Sequence, residues 1–176
     1  MLRFAFTRFL RPAGALCLAV ALLVPSPAPA QDNATTVKSL RGLQGVHVAM
    51  AAVSPELKAK GVTTDVLFAA VVLQLRQAQI PILDEMPKPP PDGPELHIEL
   101  LANVDPTFDQ CSFSFRLELR QIARLERDPK AAPLRVVTWS IGGIGEASNN
   151  WRQVLREELD YYLGRFTAAY RTANPL

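Results

Sequence analysis

An alternating segment, CSFSFRLELRQIARLER, starts at Cys111 and limits the possible folds more than any other part of the chain. Over most of its length every second side chain is apolar, which is the pattern of a β-strand with one buried face and one solvated face. The apolar series contains Cys111, Phe113, Phe115, Leu117, Leu119, Ala123 and Leu125, and the polar series contains Ser112, Ser114, Arg116, Glu118, Arg120 and Arg124. We therefore predict a sheet that buries only one face.

Other segments supply further strands and two helices. Strands are predicted at residues 46–53, 80–83, 95–104 and 134–141, and a first helix is predicted to follow an N-cap at Thr63 or Thr64. The last helix is predicted to begin at Ser148 or Asn149. Its apolar side chains recur at steps of three and four: Trp151, Val154, Leu155, Leu159, Tyr162, Leu163, Phe166 and Tyr170. The order β-α-β-β-β-β-α predicts an α+β fold, with a single antiparallel-dominated mixed sheet and two helices packed on one face.

The N-terminal segment has the layout of a secretory signal. Three arginines precede a short apolar stretch, and Ala28 and Ala30 then stand at the −3 and −1 positions of a cut before Gln31. We expect residues 1–30 to be a cleaved signal peptide, residues 31–40 a flexible lead-in and residues 41–176 a single α+β domain. The expected location is the periplasm or the extracellular space, with a soluble chain and no membrane insertion after cleavage.

Removal of this segment changes the charge of the chain. The full sequence has 19 basic and 17 acidic residues, but Arg3, Arg8 and Arg11 belong to the predicted signal and no acidic residue does. The remainder therefore carries 16 basic against 17 acidic side chains. This balance leaves no basic excess of the kind that binds nucleic acid, so we expect no nucleic-acid partner.

Residues with catalytic or ligand-binding chemistry are sparse. Gly143 and Gly145 follow a predicted strand like a dinucleotide fingerprint, but no later strand supplies the acid that such a site needs, so the glycines are predicted to form a strand-to-helix turn. His47, His97 and Glu99 lack the spacing of a metal site. Cys111 lies in the apolar series and is predicted to be buried. We predict no catalytic residue, no metal site and no cofactor.

Two surfaces are candidates for contacts with a partner. The side chains of Arg116, Glu118, Arg120 and Arg124 share the polar series of the alternating strand, where arginines can meet carboxylates of another protein. The alternative is that these residues form only a solvated face, in which the charged side chains pair with one another. The run of apolar residues from Val66 to Leu73 in the first helix exceeds one core-facing stripe, and part of it is expected to face the second helix or another subunit.

Three segments of this chain resemble small exported bacterial proteins of unknown function: the first β-α-β unit, TWSIGGIG and LGRFTAAYRTANP. The element order is similar to the α/β modules of envelope assembly proteins, such as those of the curli secretion channel and the TolB N-terminal domain. The resemblance implies a place in the cell envelope and carries over no catalytic residue.

The expected function is therefore that of a non-enzymatic exported module for binding or assembly. It would act through contacts with an envelope protein or through self-association as a homo-oligomer. The alternative is a periplasmic protein that binds a small ligand or a metal in a pocket between the sheet and the helices.

Overall fold

The computed structural model of the chain describes residues 34–87, 90–105, 107 and 109–175. The predicted signal peptide and its cleavage position lie outside these residues. The elements in chain order are α1 (Ala34–Lys38), β1 (His47–Met50), α2 (Pro55–Ala59), α3 (Thr64–Gln77), a 3-10 helix (Leu83–Glu85), β2 (Glu95–Asp105), β3 (Gln110–Ala123), β4 (Leu134–Ser148) and α4 (Trp151–Ala173).

The strands form one sheet in the order β1-β2-β3-β4. β1 runs parallel to β2, while the β2–β3 and β3–β4 pairs are antiparallel. This arrangement confirms the predicted α+β class with a single mixed, mostly antiparallel sheet. The helices bury their apolar side chains in the same core cluster as one face of the sheet, which we call the inner face. The opposite face is called the outer face.

Alternation in β3 places its apolar series on the inner face, as predicted. From Cys111 to Leu119 every second side chain is at most 7 % exposed. α4 covers this series with the apolar stripe predicted from its sequence, and Trp139 of β4 meets Phe166 of α4 edge to face at 5.2 Å between ring centroids. Aromatic rings dominate this contact because they bury the most apolar area per side chain.

The segment predicted as a strand at residues 80–83 has another conformation. Ile82 makes only an isolated parallel bridge with Val46, and the chain then enters the 3-10 helix at Leu83. Pro81 has no backbone N–H to donate, so the segment is a poor strand although it is apolar. The sheet consequently has four strands instead of the predicted five.

Helices also form where the sequence analysis expected none. α1 lies in the segment predicted as a flexible lead-in, and Leu40, just after it, is fully buried in the core. Asn174, at the end of α4, holds the loop that follows α1. Its Nδ2 donates to the Leu40 carbonyl at 2.8 Å, and its Oδ1 accepts from Gly42 N–H at 2.7 Å. α2 adds a second short helix, so the described residues form four α-helices where two were expected.

The start of α3 confirms its prediction, whereas the start of α4 does not. Thr63 caps α3 by accepting a hydrogen bond from Val66 N–H. Ser148 is still part of β4, so it cannot cap α4. Asn149 turns the chain with φ of 57° and its N–H donates to the Asp109 carbonyl, and Asn150 is the N-cap without a side-chain bond.

The glycines of TWSIGGIG lie inside β4 and do not form the predicted turn. Neither Gly143 nor Gly145 has a positive φ. Both lie on the inner face, where neighbouring aromatic side chains occupy the space of a Cβ: a Cβ on Gly145 would lie 2.6 Å from Phe113 Cζ, and one on Gly143 would meet the Tyr162 hydroxyl. Close approach of rings therefore explains these glycines, and the strand continues to Ser148.

This packing predicts a specific coupling between Gly143 and Tyr162. Gly143→Ala is expected to lower the free energy of unfolding by about 1–3 kcal/mol, the usual cost of overpacking. Only the hydroxyl oxygen of Tyr162 is in the way, since its Cζ would be 3.5 Å from the added Cβ. Tyr162→Phe should therefore remove most of the cost of Gly143→Ala. Urea denaturation of both single variants and the double variant measures the coupling; additive losses would contradict it.

Candidate functional site

The outer face of the sheet divides into a charged half and an apolar half. At one end lie Glu95 and His97 of β2 beside Arg120 and Glu118 of β3. At the other end, the row of Leu101, Ser114 and Ile144 is small and mostly apolar, and the row beyond it contains Asn103, Ser112 and Glu146. The division runs across β2, β3 and β4.

The charged half is a chain of ion pairs around two partly buried carboxylates. Arg120 donates through Nε and Nη2 to Glu118 Oε2 at 3.0 and 2.7 Å. Arg116 approaches the other oxygen of Glu118 at 3.8 Å. Glu95 lies 3.7 Å from Arg120 and 3.8 Å from Arg135. Charges of both signs therefore neutralise each other along this half of the face.

Three of the four predicted interaction residues share this face. Arg116, Glu118 and Arg120 project from it at alternate positions of β3. Arg124 follows the end of β3 at Ala123, so it is exposed but lies beyond the strand. Glu118 and Glu95 engage Arg120, whereas the Arg116 side chain is 61 % exposed. Of the two β3 arginines on this face, Arg116 is thus the more exposed.

The apolar half forms a shallow groove that the sequence analysis missed. Leu101 of β2 and Ile144 of β4 are paired with Ser114 of β3 from opposite sides, and they are 59 % and 89 % exposed. Ser112 and Ser114 form the floor between them, in a groove of about 700 Å³. Two large apolar walls over a hydroxyl floor give a surface that water solvates poorly.

Part of this groove had a signal in the sequence. Leu101 belongs to the same alternating series as His97 and Glu99, so a leucine on a polar face was visible as an exception. Ile144 had no such signal. It stands among glycines that were assigned to a turn, and a turn residue has no predictable sheet face.

A second groove lies between two loops at the β1 end of the sheet. It has a volume of about 680 Å³, and the lining includes Leu43, Leu83, Met86 and residues 90–94. Beside it, His47 Nδ1 lies 2.7 Å from Asp84 Oδ1, and His47 Nε2 lies 2.8 Å from the Pro90 carbonyl oxygen. Both ring nitrogens therefore face acceptors, an arrangement that only the doubly protonated ring satisfies fully.

These contacts shift the pKa values of both His47 and Asp84. Partial burial opposes a charge on the ring, but the hydrogen bonds to Asp84 and Pro90 outweigh it and raise the pKa of His47 above 6.5. Burial likewise acts against the Asp84 carboxylate, yet the bonds from His47 and from Val48 N–H lower the pKa of Asp84 below 3.8. His47 of β1 therefore holds both the 3-10 helix, through Asp84, and the segment at Pro90.

Other candidate residues of the sequence analysis lie apart from one another. His47 is held at the loop, while His97 lies 3.7 Å from Glu95 in the charged half. The described residues contain no group of three or more His, Cys, Asp or Glu side chains placed to hold a metal ion. Cys111 is buried, as predicted, and its burial raises the pKa of the thiol.

Compared with protein-family models, curated proteins and solved structures, the chain has no match. Within the described ranges, no helix combines the length and the apolar character needed to cross a bilayer.

The His47–Asp84 pair predicts a defined dependence of stability on pH. Because the His47 pKa is raised, its contribution to the free energy of unfolding is complete below pH 6.5 and falls as the pH rises through the raised value. The Asp84 contribution is present above pH 3.8 and falls as the pH drops through its lowered pKa. His47→Asn should therefore cost about 1 kcal/mol in mildly acidic solution and less at about pH 9.

Thermal or urea unfolding across this pH range measures the difference between the variants. His97→Asn is the matched control, since it removes a histidine whose nearest charged group is more distant. A His47→Asn cost that does not decrease above neutral pH would show that the ring acts only by its packing.

Proposed function

We propose that this chain is an exported, non-enzymatic binding module that recognises another protein of the cell envelope through the outer face of its sheet. One observation supports this proposal above all: the groove between Leu101 and Ile144 is open, whereas helices pack over the other face of the sheet. Large exposed apolar side chains with a polar rim are typical of protein-binding surfaces.

The side chains around the groove indicate which chemical groups the partner presents. An apolar side chain fits between Leu101 and Ile144, where it can contact both walls and displace poorly bound water. Arg116 follows Ser114 by two residues on the same strand and face, so it lies in the cross-strand row next to the groove. We expect the partner to present an apolar residue next to a carboxylate.

The charged half contributes orientation more than affinity. Glu118 and Glu95 compensate Arg120 internally, so a partner gains little by displacing these contacts. Arg116 retains exposed donors, and a carboxylate that reaches it would fix the direction in which the partner lies along the groove. An interaction of this kind weakens with added salt.

Site-specific photo-crosslinking in the producing cell tests this function. A photoreactive residue replaces Ser114 in the groove floor, and the same residue replaces Arg156, which is exposed on α4, as the control. We expect a discrete adduct with one envelope protein from position 114, no such adduct from position 156, and loss of the adduct when Leu101→Glu is added. Adducts that form equally from both positions would refute the proposed surface.

Binding of the purified chain to the protein captured in this way provides the quantitative test. Leu101→Glu should weaken the affinity at least about tenfold, because it places a charge in the apolar contact. Arg116→Ala should weaken it less and reduce its dependence on salt. Unchanged melting temperatures of both variants serve as the control for folding, since both side chains are mostly exposed.

Export has a separate test in cell fractionation. The chain recovered from the envelope compartment should begin at Gln31, as measured by the mass of the intact protein. Lysine in place of both Ala28 and Ala30 should prevent cleavage and leave the longer form. A full-length chain confined to the cytoplasm would contradict the proposed location.

A further inference from the structure

The two edges of the sheet differ in how the chain protects them. At β1, Asp84 Oδ2 accepts the N–H of Val48 at 3.1 Å. Val46 pairs with the segment before the 3-10 helix, since its N–H donates to the Pro81 carbonyl and its own carbonyl accepts from Leu83 N–H. The strand itself has only four residues. A short strand with its polar groups already bonded is a poor template for another strand.

The β4 edge is less protected over its central part, where the described residues show a bulge at Thr138 and a bond from the Ser39 hydroxyl to its carbonyl. β4 has 15 residues, and within the described part of the chain no strand pairs with its outer side. From Val136 to Gly145 the sequence contains neither a charged residue nor a proline. Charges and prolines are the usual means by which proteins prevent edge-to-edge pairing, so a long edge without them is suited to receive a strand.

We propose that the β4 edge pairs with the β4 edge of a second copy of this chain, antiparallel about a two-fold axis at Ile141. The occupant is inferred from the complementarity of β4 with itself. In this register Arg135 of one copy lies opposite Glu146 of the other, and Val137 lies opposite Ile144. The two-fold axis repeats both pairs, so the contact is the same from either copy.

In this register, paired side chains of the two copies lie on the same face of the sheet only because β4 contains a bulge. β4 has an irregularity against β3, where Leu119 pairs with Trp139 and Arg120 pairs with Val137, so that Thr138 is an extra residue. Passing over Thr138 in each copy brings Trp139 opposite Gly143, both on the inner face. Val137 and Ile144, both on the outer face and 49 % and 89 % exposed, then meet as well.

The contacts of the pairing residues within one chain are compatible with this arrangement. Thr138 carbonyl accepts from the Ser39 hydroxyl at 3.0 Å, and the register leaves this residue unpaired. Arg135 has a 3.8 Å ion pair with Glu95 and is 37 % exposed, while Glu146 accepts from Ser112 at 3.3 Å and is exposed. Both charged side chains are therefore accessible to a second copy of the chain.

This pairing goes beyond the proposed function, because it needs no other protein and uses the edge of the sheet. It joins two four-stranded sheets into one of eight strands, with both outer faces on the same side. Cross-strand apolar pairs and opposite charges are the interactions that stabilise neighbouring strands.

Charge reversal tests the register. The association of the chain without its predicted signal peptide is measured by sedimentation velocity over a range of concentrations. Arg135→Glu alone sets glutamate against Glu146 at two sites, and Glu146→Arg alone sets arginine against Arg135. Each single variant should have a dimer dissociation constant raised at least about tenfold. The double variant R135E/E146R should recover the affinity of the original chain.

A mixture of the two single variants gives the sharpest result. Position 135 of the R135E variant then faces position 146 of the E146R variant with opposite charge, while Glu146 of the R135E variant faces Arg135 of the E146R variant. We expect a heterodimer from two proteins that are each monomeric alone, which also shows that both variants are folded.

Leu101→Glu is the matched control, since it alters the outer face two strands away from the edge. It should weaken binding to the envelope partner without changing the dissociation constant of the dimer, so failure of one proposal is distinguishable from failure of the other. A monomeric original chain at high concentration, or a dimer that responds to neither reversal, would overturn the inference.

Discussion

Burial of α4 against the inner face of β3 and β4 is the interaction on which the rest of the structure depends. The Trp139–Phe166 contact joins the two layers, and Gly143 leaves room for Tyr162 of α4 over β4. The last turn of α4 then fastens the loop after α1 through Asn174. α4 thus covers β3 and β4 on the inner face and also anchors the N-terminal segment, and within the described residues no helix covers the outer face.

Local periodicity accounts for most of what could be predicted from the sequence. The alternation from Cys111 to Leu119 and the apolar stripe of α4 are repeated many times within one element, so each position supports the next. The end of β4 could not be predicted in this way, since the glycines depend on Phe113 and Tyr162 from other elements. The same limit applies to His47 and Asp84, which are 37 residues apart and meet only in the folded chain.

The residues of the candidate surface were likewise predictable only in part. Arginines at alternate positions placed Arg116 and Arg120 on one face, but the sequence could not show that Glu118 and Glu95 engage Arg120 and leave Arg116 exposed. Similarly, Leu101 was a visible exception on a polar strand, whereas its relation to Ile144 required the pairing of three strands. Pairing across strands therefore decides which of the predicted residues share a surface.

Closure of the β1 edge has a consequence for the size of any assembly. A sheet with two open edges can add a neighbour at each side, and repeated addition gives a filament without a defined end. Here Asp84 and the segment at Pro81 and Leu83 occupy the polar groups of one edge. The proposed strand pairing at β4 therefore ends after a single addition, because the bonds from Asp84, Pro81 and Leu83 make β1 a poor template for a further strand.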